Sequence, residues 1–210
     1  MKIVGLCGGI GAGKSTVAAL LADHGAVVVD VDALGHGVLT EPDVRTAIFE
    51  EFGPGVLADD GAIDRAALAT KVFACEGRLA DLEAISHPAI NRALGRRLDD
   101  LEAADRPPEL VVLDMAVLVE SDLGRLDDGR CYGEVVVVEA DREVRLRRLT
   151  GRGMDRADAE ARIASQATDA ERRAVADHVL VNDGEERDLA AEVADLFPRL
   201  LGSDAGSPAA

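Results

Sequence analysis

Ile3-Val4-Gly5-Leu6-Cys7-Gly8-Gly9-Ile10-Gly11-Ala12-Gly13-Lys14-Ser15-Thr16 is the stretch on which the fold turns. Its first five residues are apolar and partly β-branched, which predicts a buried strand. Gly8 to Ser15 match the pattern GxxxxGK[ST], a P-loop, and Lys14 to His24 carry Val17, Leu20 and Leu21 at helical spacing. Gly25 is the natural stop for that helix, and Val27 to Val29 is apolar again. Strand, glycine loop, helix, strand is one βαβ unit. Its crossover favours a parallel sheet whose strand C-termini face a common crevice.

Further buried strands are expected at Leu110 to Leu113, Val135 to Val138 and His178 to Val181, giving an α/β fold with a five-stranded parallel sheet. About eighty residues between the second and third strands read as mainly helical: Val44 to Phe52, Arg65 to Phe73, and Gly77 to Leu101 interrupted at Pro88. They form a candidate substrate region. After the fourth strand, Asp141 to Arg152 is helical and arginine-rich, Gly153 is a flexible break, and helices resume at about Asp155 to Gln166 and Asp169 to Asp177. Thr168 with Glu171 fits a capping box. A last helix from about Glu185 to Leu201 keeps Leu189, Val193, Leu196 and Leu200 on one face, and the tail 203–210 is small, polar and expected to be disordered.

Length and composition bound the function. The 210 residues suit one α/β unit with an insertion rather than two independent domains. With 40 acidic against 23 basic residues, a formal charge of -17 repels nucleic acid and anionic membrane surfaces, so neither is expected as a partner. Cys7, Cys75 and Cys131 are odd in number and form no CxxC pair, which argues against a disulfide framework or a zinc knuckle and for a reducing cytoplasm. The opening lacks a signal-peptide pattern, and the apolar run Leu110 to Val119 is broken by Asp114. The expectation is a soluble cytoplasmic protein.

The loop carries the chemistry. Gly9, Gly11, Ala12 and Gly13 let the backbone wrap so that its N–H groups point at phosphate oxygens, and the positive end of the next helix favours their charge. Lys14 is placed to bridge the β- and γ-phosphates of ATP, the Ser15 hydroxyl to ligate Mg²⁺, and Thr16 to touch the α-phosphate. Asp30 and Asp32 end the second strand beside the loop. Either suits a base for an attacking hydroxyl, although by spacing alone a helix N-cap is the more common use of each. Asp114 ends the third strand, where it reads as a Walker-B-like carboxylate or as a strand-end turn residue, and Glu120 follows six residues on. Arg145, Arg148 and Arg152 share one helical face, which is either a lid closing over ATP or a solvated surface, the second being the more common use of that spacing. His87-Pro88 by itself is a kink.

These segments together resemble bacterial dephospho-coenzyme A kinase over about Ile3 to Gly184. The likeness is carried by Gly8 to Thr16, Asp30-Val31-Asp32, Phe52-Gly53 through Asp60-Gly61-Ala62-Ile63-Asp64-Arg65, and Ile85-Ser86-His87-Pro88. It continues with Asp114 to Glu120, the lid arginines, Arg162-Ile163-Ala164-Ser165-Gln166, and Ala176-Asp177 with Asn182. The resemblance implies a three-layer P-loop kinase domain over 1–202, with a core at about 1–30, 108–141 and 177–202, a helical substrate domain inserted at about 31–107, and a lid at about 142–176. It implies transfer of phosphoryl from Mg²⁺-ATP to the ribose 3'-hydroxyl of dephospho-coenzyme A by a monomer or weak homo-oligomer. Asp32 would be the base, Lys14 and Arg148 would stabilise the transferring group, and Arg152 would be a secondary lid contact. His87, Asp114 and Glu120 would belong to the substrate side and Asn182 to the adenine end. Cys7, Ala116 and Gly35 depart from the family pattern without removing a proposed catalytic group. The rival readings are a P-loop kinase for a nucleoside monophosphate or shikimate, a P-loop protein that binds ATP without turnover, and a GTPase-type switch. The last is disfavoured because no Asn-Lys-x-Asp motif occurs.

Overall fold

The computed structural model describes residues 1–75, 77–119, 121 and 123–202. Within these the chain divides into two compact units, one made of Met1–Asp30 and the chain from Leu101 onward, the other of Val31–Asp100.

The first unit is built on five strands: β1 (Lys2–Gly8), β2 (Val27–Asp30), β3 (Leu110–Asp114), β4 (Glu134–Glu139) and β5 (His178–Val181). They lie in the order β2-β3-β1-β4-β5, and every pairing is parallel. The central strands β1, β3 and β4 are almost wholly apolar because both of their faces are covered, whereas Val179 and Val181 of the edge strand β5 are exposed. On one face Val4, Leu6, Val112, Val136, Val138 and Leu180 pack in a single core with Val17 and Leu21 of α1 (Lys14–Asp23) and with Leu189, Val193, Leu196 and Leu200 of α9 (Glu186–Leu200). On the other face Gly5 leaves room for Leu118 and Tyr132, since a Cβ there would stand 2.5 Å from Leu118 Cδ1. Gly25 ends α1 as expected, with φ 104° and its N–H on the Ala22 carbonyl.

Three further helices of this unit follow β4: α6 (Arg142–Gly151), α7 (Arg156–Ala164) and α8 (Asp169–Val175). Each opens on a side chain that accepts from its first turn: Asp141, Asp155 and Thr168. The capping box expected of Thr168 and Glu171 is complete, with both reciprocal bonds present.

The second unit holds α2 (Val31–Val38), α3 (Pro42–Phe52), α4 (Arg65–Ala74) and most of α5 (Arg78–Glu102). Pro42 opens α3 at its first turn, and the Asp64 carboxylate caps α4 through the N–H groups of Ala66 and Ala67. Lys71 Nζ donates to the Phe52 carbonyl at 2.6 Å, and Arg96 reaches Glu41 at 3.0 Å. Two expectations are corrected here. The helix of α5 runs through Pro88 without a break. A proline removes one N–H, and the buried series Ala89, Ile90, Leu94 and Leu98 gives the remaining turns enough packing to carry that loss. Because α2 begins at Val31, Asp32 sits inside its first turn, so the N-cap position falls to Asp30. The tail 203–210, expected to be disordered, and Glu120, expected near the substrate, lie outside the described residues. Among the described residues no helix is long and apolar enough to cross a membrane.

Candidate active site

The carboxyl edge of the sheet gathers the chemistry. In the strand register Asp114 lies between Leu6 of β1 and Asp30 of β2, so two carboxylates border the point where β1 runs into the glycine loop. Gly8 is required there, since a Cβ would stand 2.6 Å from the Val138 carbonyl oxygen of the neighbouring strand. The loop then turns through a bond from Ala12 N–H to the Gly9 carbonyl, with Gly11 at φ 80° and Gly13 at φ 102°. Gly13 is the N-cap of α1 and supplies no side-chain cap. The first-turn amides of α1 therefore combine with the positive helix end into a site for an anion.

Lys14 Nζ forms an ion pair with the Asp114 carboxylate, and both side chains are largely buried. That contact holds the lysine at the sheet edge beside the loop. Ser15 follows in the first turn of α1 with an exposed side chain. Ammonium and carboxylate thus meet beside the loop, and the Ser15 hydroxyl follows Lys14 at the start of the helix.

The other flank of the loop is organised by Asn182, which directly follows β5. Its Nδ2 donates to the Ala12 carbonyl at 2.8 Å, and the residue is buried. Arg148 of α6 donates to the carbonyls of Gly11 and Ala12 at 3.3 and 3.2 Å and to the carbonyl and Oδ1 of Asn182 at 2.9 and 3.1 Å. Beside them a cavity of about 180 Å³ opens between Gly13, Thr16, Arg148, Arg152, Asn182 and Leu189. The structure therefore places Arg148 and Arg152 on the α1–β5 flank of the loop, with Arg148 bound to the loop's own carbonyls. Gly13→Ala should lower ATP affinity by at least about tenfold, because the left-handed φ is costly for alanine and its Cβ would fall 2.1 Å from Asn182 Nδ2. Isothermal titration of ATP into the variant checks this.

The residues expected to cradle phosphate, Gly9, Gly11, Ala12, Gly13, Lys14, Ser15 and Thr16, come together with Asp114, Arg148, Arg152 and Asn182 in the first unit. Asp32 and His87 belong to the second unit, Asp32 in the first turn of α2 and His87 half-buried within α5.

One group escaped the sequence reading. Arg145, weighed mainly as part of a solvated face, is buried, and its guanidinium lies against Gly9 with Nε donating to the Ile10 carbonyl at 2.9 Å. Its Nη1 meets Asp169 Oδ1 at 3.3 Å, the same oxygen that Arg172 Nη1 meets at 3.3 Å. Burial pulls the Arg145 guanidinium below its ordinary pKa, Asp169 opposes that, and Arg172 and Arg142 add to the lowering. Helical spacing put Arg145 on the right face, but only the α6–loop contact buries it.

Comparison with known proteins follows the same lines. The sequence model of the family described as dephospho-CoA kinase matches residues 2–188. A dephospho-CoA kinase of Frankia casuarinae is 42% identical over 203 residues, which cover 96% of this chain and 84% of that protein. One from Streptomyces avermitilis is 43% identical over 204 residues, covering 96% and 95%. A crystal structure of a Thermus thermophilus protein superposes with a TM-score of 0.77 at 35% identity, covering 95% of this chain and 97% of that one.

Proposed function

The chain belongs to the dephospho-CoA kinase family, and from that premise we propose how its residues divide the work. It is a kinase that phosphorylates dephospho-coenzyme A with ATP, the final step of coenzyme A synthesis. The observation that carries the assignment of roles is the uncapped start of α1 behind a glycine loop, with the Lys14–Asp114 pair at its side.

The ATP phosphates occupy the loop, where amide N–H groups and the helix end offset their charge without having to reorganise. Lys14 follows the γ-phosphoryl group as charge spreads onto its oxygens. The nucleoside occupies the cavity beside Asn182, Arg148 and Arg152; a guanidinium can stack there on a base and still reach phosphate. Arg148 joins the transferring group by exchanging its loop carbonyls for phosphate oxygens. Asp32 takes the proton of the ribose 3'-hydroxyl as that oxygen attacks the γ-phosphorus and the bond to the β–γ bridging oxygen breaks, releasing ADP. Its place in the chain, two residues after Asp30, the last residue of β2, supports that role. His87 belongs with the acceptor.

Mg²⁺ fits this edge. The Ser15 hydroxyl and the Asp114 carboxylate are oxygen donors of the kind it prefers, and it needs few protein ligands because phosphates and waters complete its shell. Bound with ATP, it would neutralise charge on the β- and γ-oxygens.

The test is ADP release from Mg²⁺-ATP with dephospho-coenzyme A, run beside AMP, shikimate and no acceptor, with mass detection of the product. One added phosphate on dephospho-coenzyme A alone, abolished by EDTA and restored by Mg²⁺, is the expected result. Turnover with another acceptor instead would discard the substrate assignment.

A further inference from the structure

We infer that Gln166 and Arg145 are positioning residues for the phosphate loop: together they hold both backbone polar groups of Ile10, and so set the curvature in which the following amides converge on ATP. Ile10 N–H donates to Gln166 Oε1 at 2.8 Å, across 156 positions of sequence, while Ile10 C=O accepts from Arg145 Nε at 2.9 Å. The Ile10 side chain adds a third anchor by packing on Leu146, Leu149 and Ala159, a small core shared by α6 and α7. The tip of the loop is thus seated in the helices that follow β4.

The need for anchoring follows from composition. Four of the six residues from Gly8 to Gly13 are glycines, whose backbone freedom must be given up when phosphate is bound. A loop already fixed in its binding shape avoids that loss at the moment of binding. A flip of the Gly9–Ile10 peptide would break the bond to Gln166, and a flip of the Ile10–Gly11 peptide the bond from Arg145.

The anchors are themselves held. Gln166 sits two residues before the capping box of Thr168 and Glu171, which fixes the start of α8. Arg145 is tied to α8 through Asp169, shared with Arg172, and the two arginine side chains are only 4% and 2% exposed. Each arginine has a buried Nη2 with no hydrogen-bond partner among the described residues. An apolar residue would fill the space of Arg145 at less desolvation cost. What the arginine supplies is the directed N–H to Ile10 and the link to Asp169.

This inference rests on ATP binding in the loop, so its test carries a control for that reading. Gln166→Met keeps length and apolar bulk but removes the acceptor. Measured in steady state, it should raise the KM for ATP about fivefold to tenfold, the worth of one hydrogen bond, with the KM for dephospho-coenzyme A unchanged and the melting temperature lowered by no more than about 4 °C. A wild-type KM for ATP, or an equal rise in both KM values with a larger fall in melting temperature, overturns the positioning role. Lys14→Ala, assayed alongside, separates the two ideas. If it is crippled while Gln166→Met is normal, only the role of Gln166 is lost; if it is fully active, the loop reading itself fails.

Discussion

Lys14→Ala is expected to reduce turnover by about 10²- to 10³-fold, the usual cost of removing one donor aimed at developing charge. The larger figure is favoured here because the change also releases Asp114 from its ion pair. That carboxylate, next to Asp30 in the strand register, would then stand beside the phosphates without its lysine. The uncapped amides of α1 remain, which means ATP should still bind, only more weakly. Single-turnover phosphoryl transfer at saturating ATP separates these effects. A variant whose loss is confined to ATP affinity, with normal transfer once saturated, would show that Lys14 binds the ground state alone.

Asp32→Asn is expected to lower kcat by about 10²- to 10⁴-fold, the range for a general base, and to leave the KM for ATP unchanged. The amide keeps the size of the carboxylate and its place in the first turn of α2, while losing the capacity to take a proton. An acidic group also suits a helix N-terminus, so the substitution should cost a few tenths of a kcal/mol of stability as well, about 0.3–1 by the usual helix-end effect. Circular dichroism then distinguishes a folded, inactive enzyme from a weakened one. Undiminished kcat in a folded variant would remove Asp32 from the base role and turn attention to Asp30, the carboxylate that ends β2.

Much of this molecule was legible along the chain. The unit from β1 through the loop to α1, the five apolar strands, the box of Thr168 and Glu171, and the buried face Leu189, Val193, Leu196 and Leu200 of α9 all follow from local periodicity and capping chemistry. Each such signal is complete within a few residues, because the hydrogen bonds that produce it are short-range in sequence. Pro88 is the exception, since its breaking propensity is local and the packing of α5 overrides it.

By itself the sequence determined the parallel α/β architecture, the phosphate-binding loop and the elements flanking it, since glycine spacing and apolar runs report the conformations that neighbouring residues must adopt. Only the tertiary structure decided the strand order β2-β3-β1-β4-β5 that sets Asp114 between Leu6 and Asp30, the turn of Lys14 toward Asp114, the seating of Arg148 on the loop carbonyls, and the burial of Arg145 with Gln166 on Ile10. These depend on partners far apart along the chain, and no periodicity records them; what selects them is the free energy of packing the whole sheet and its covering helices.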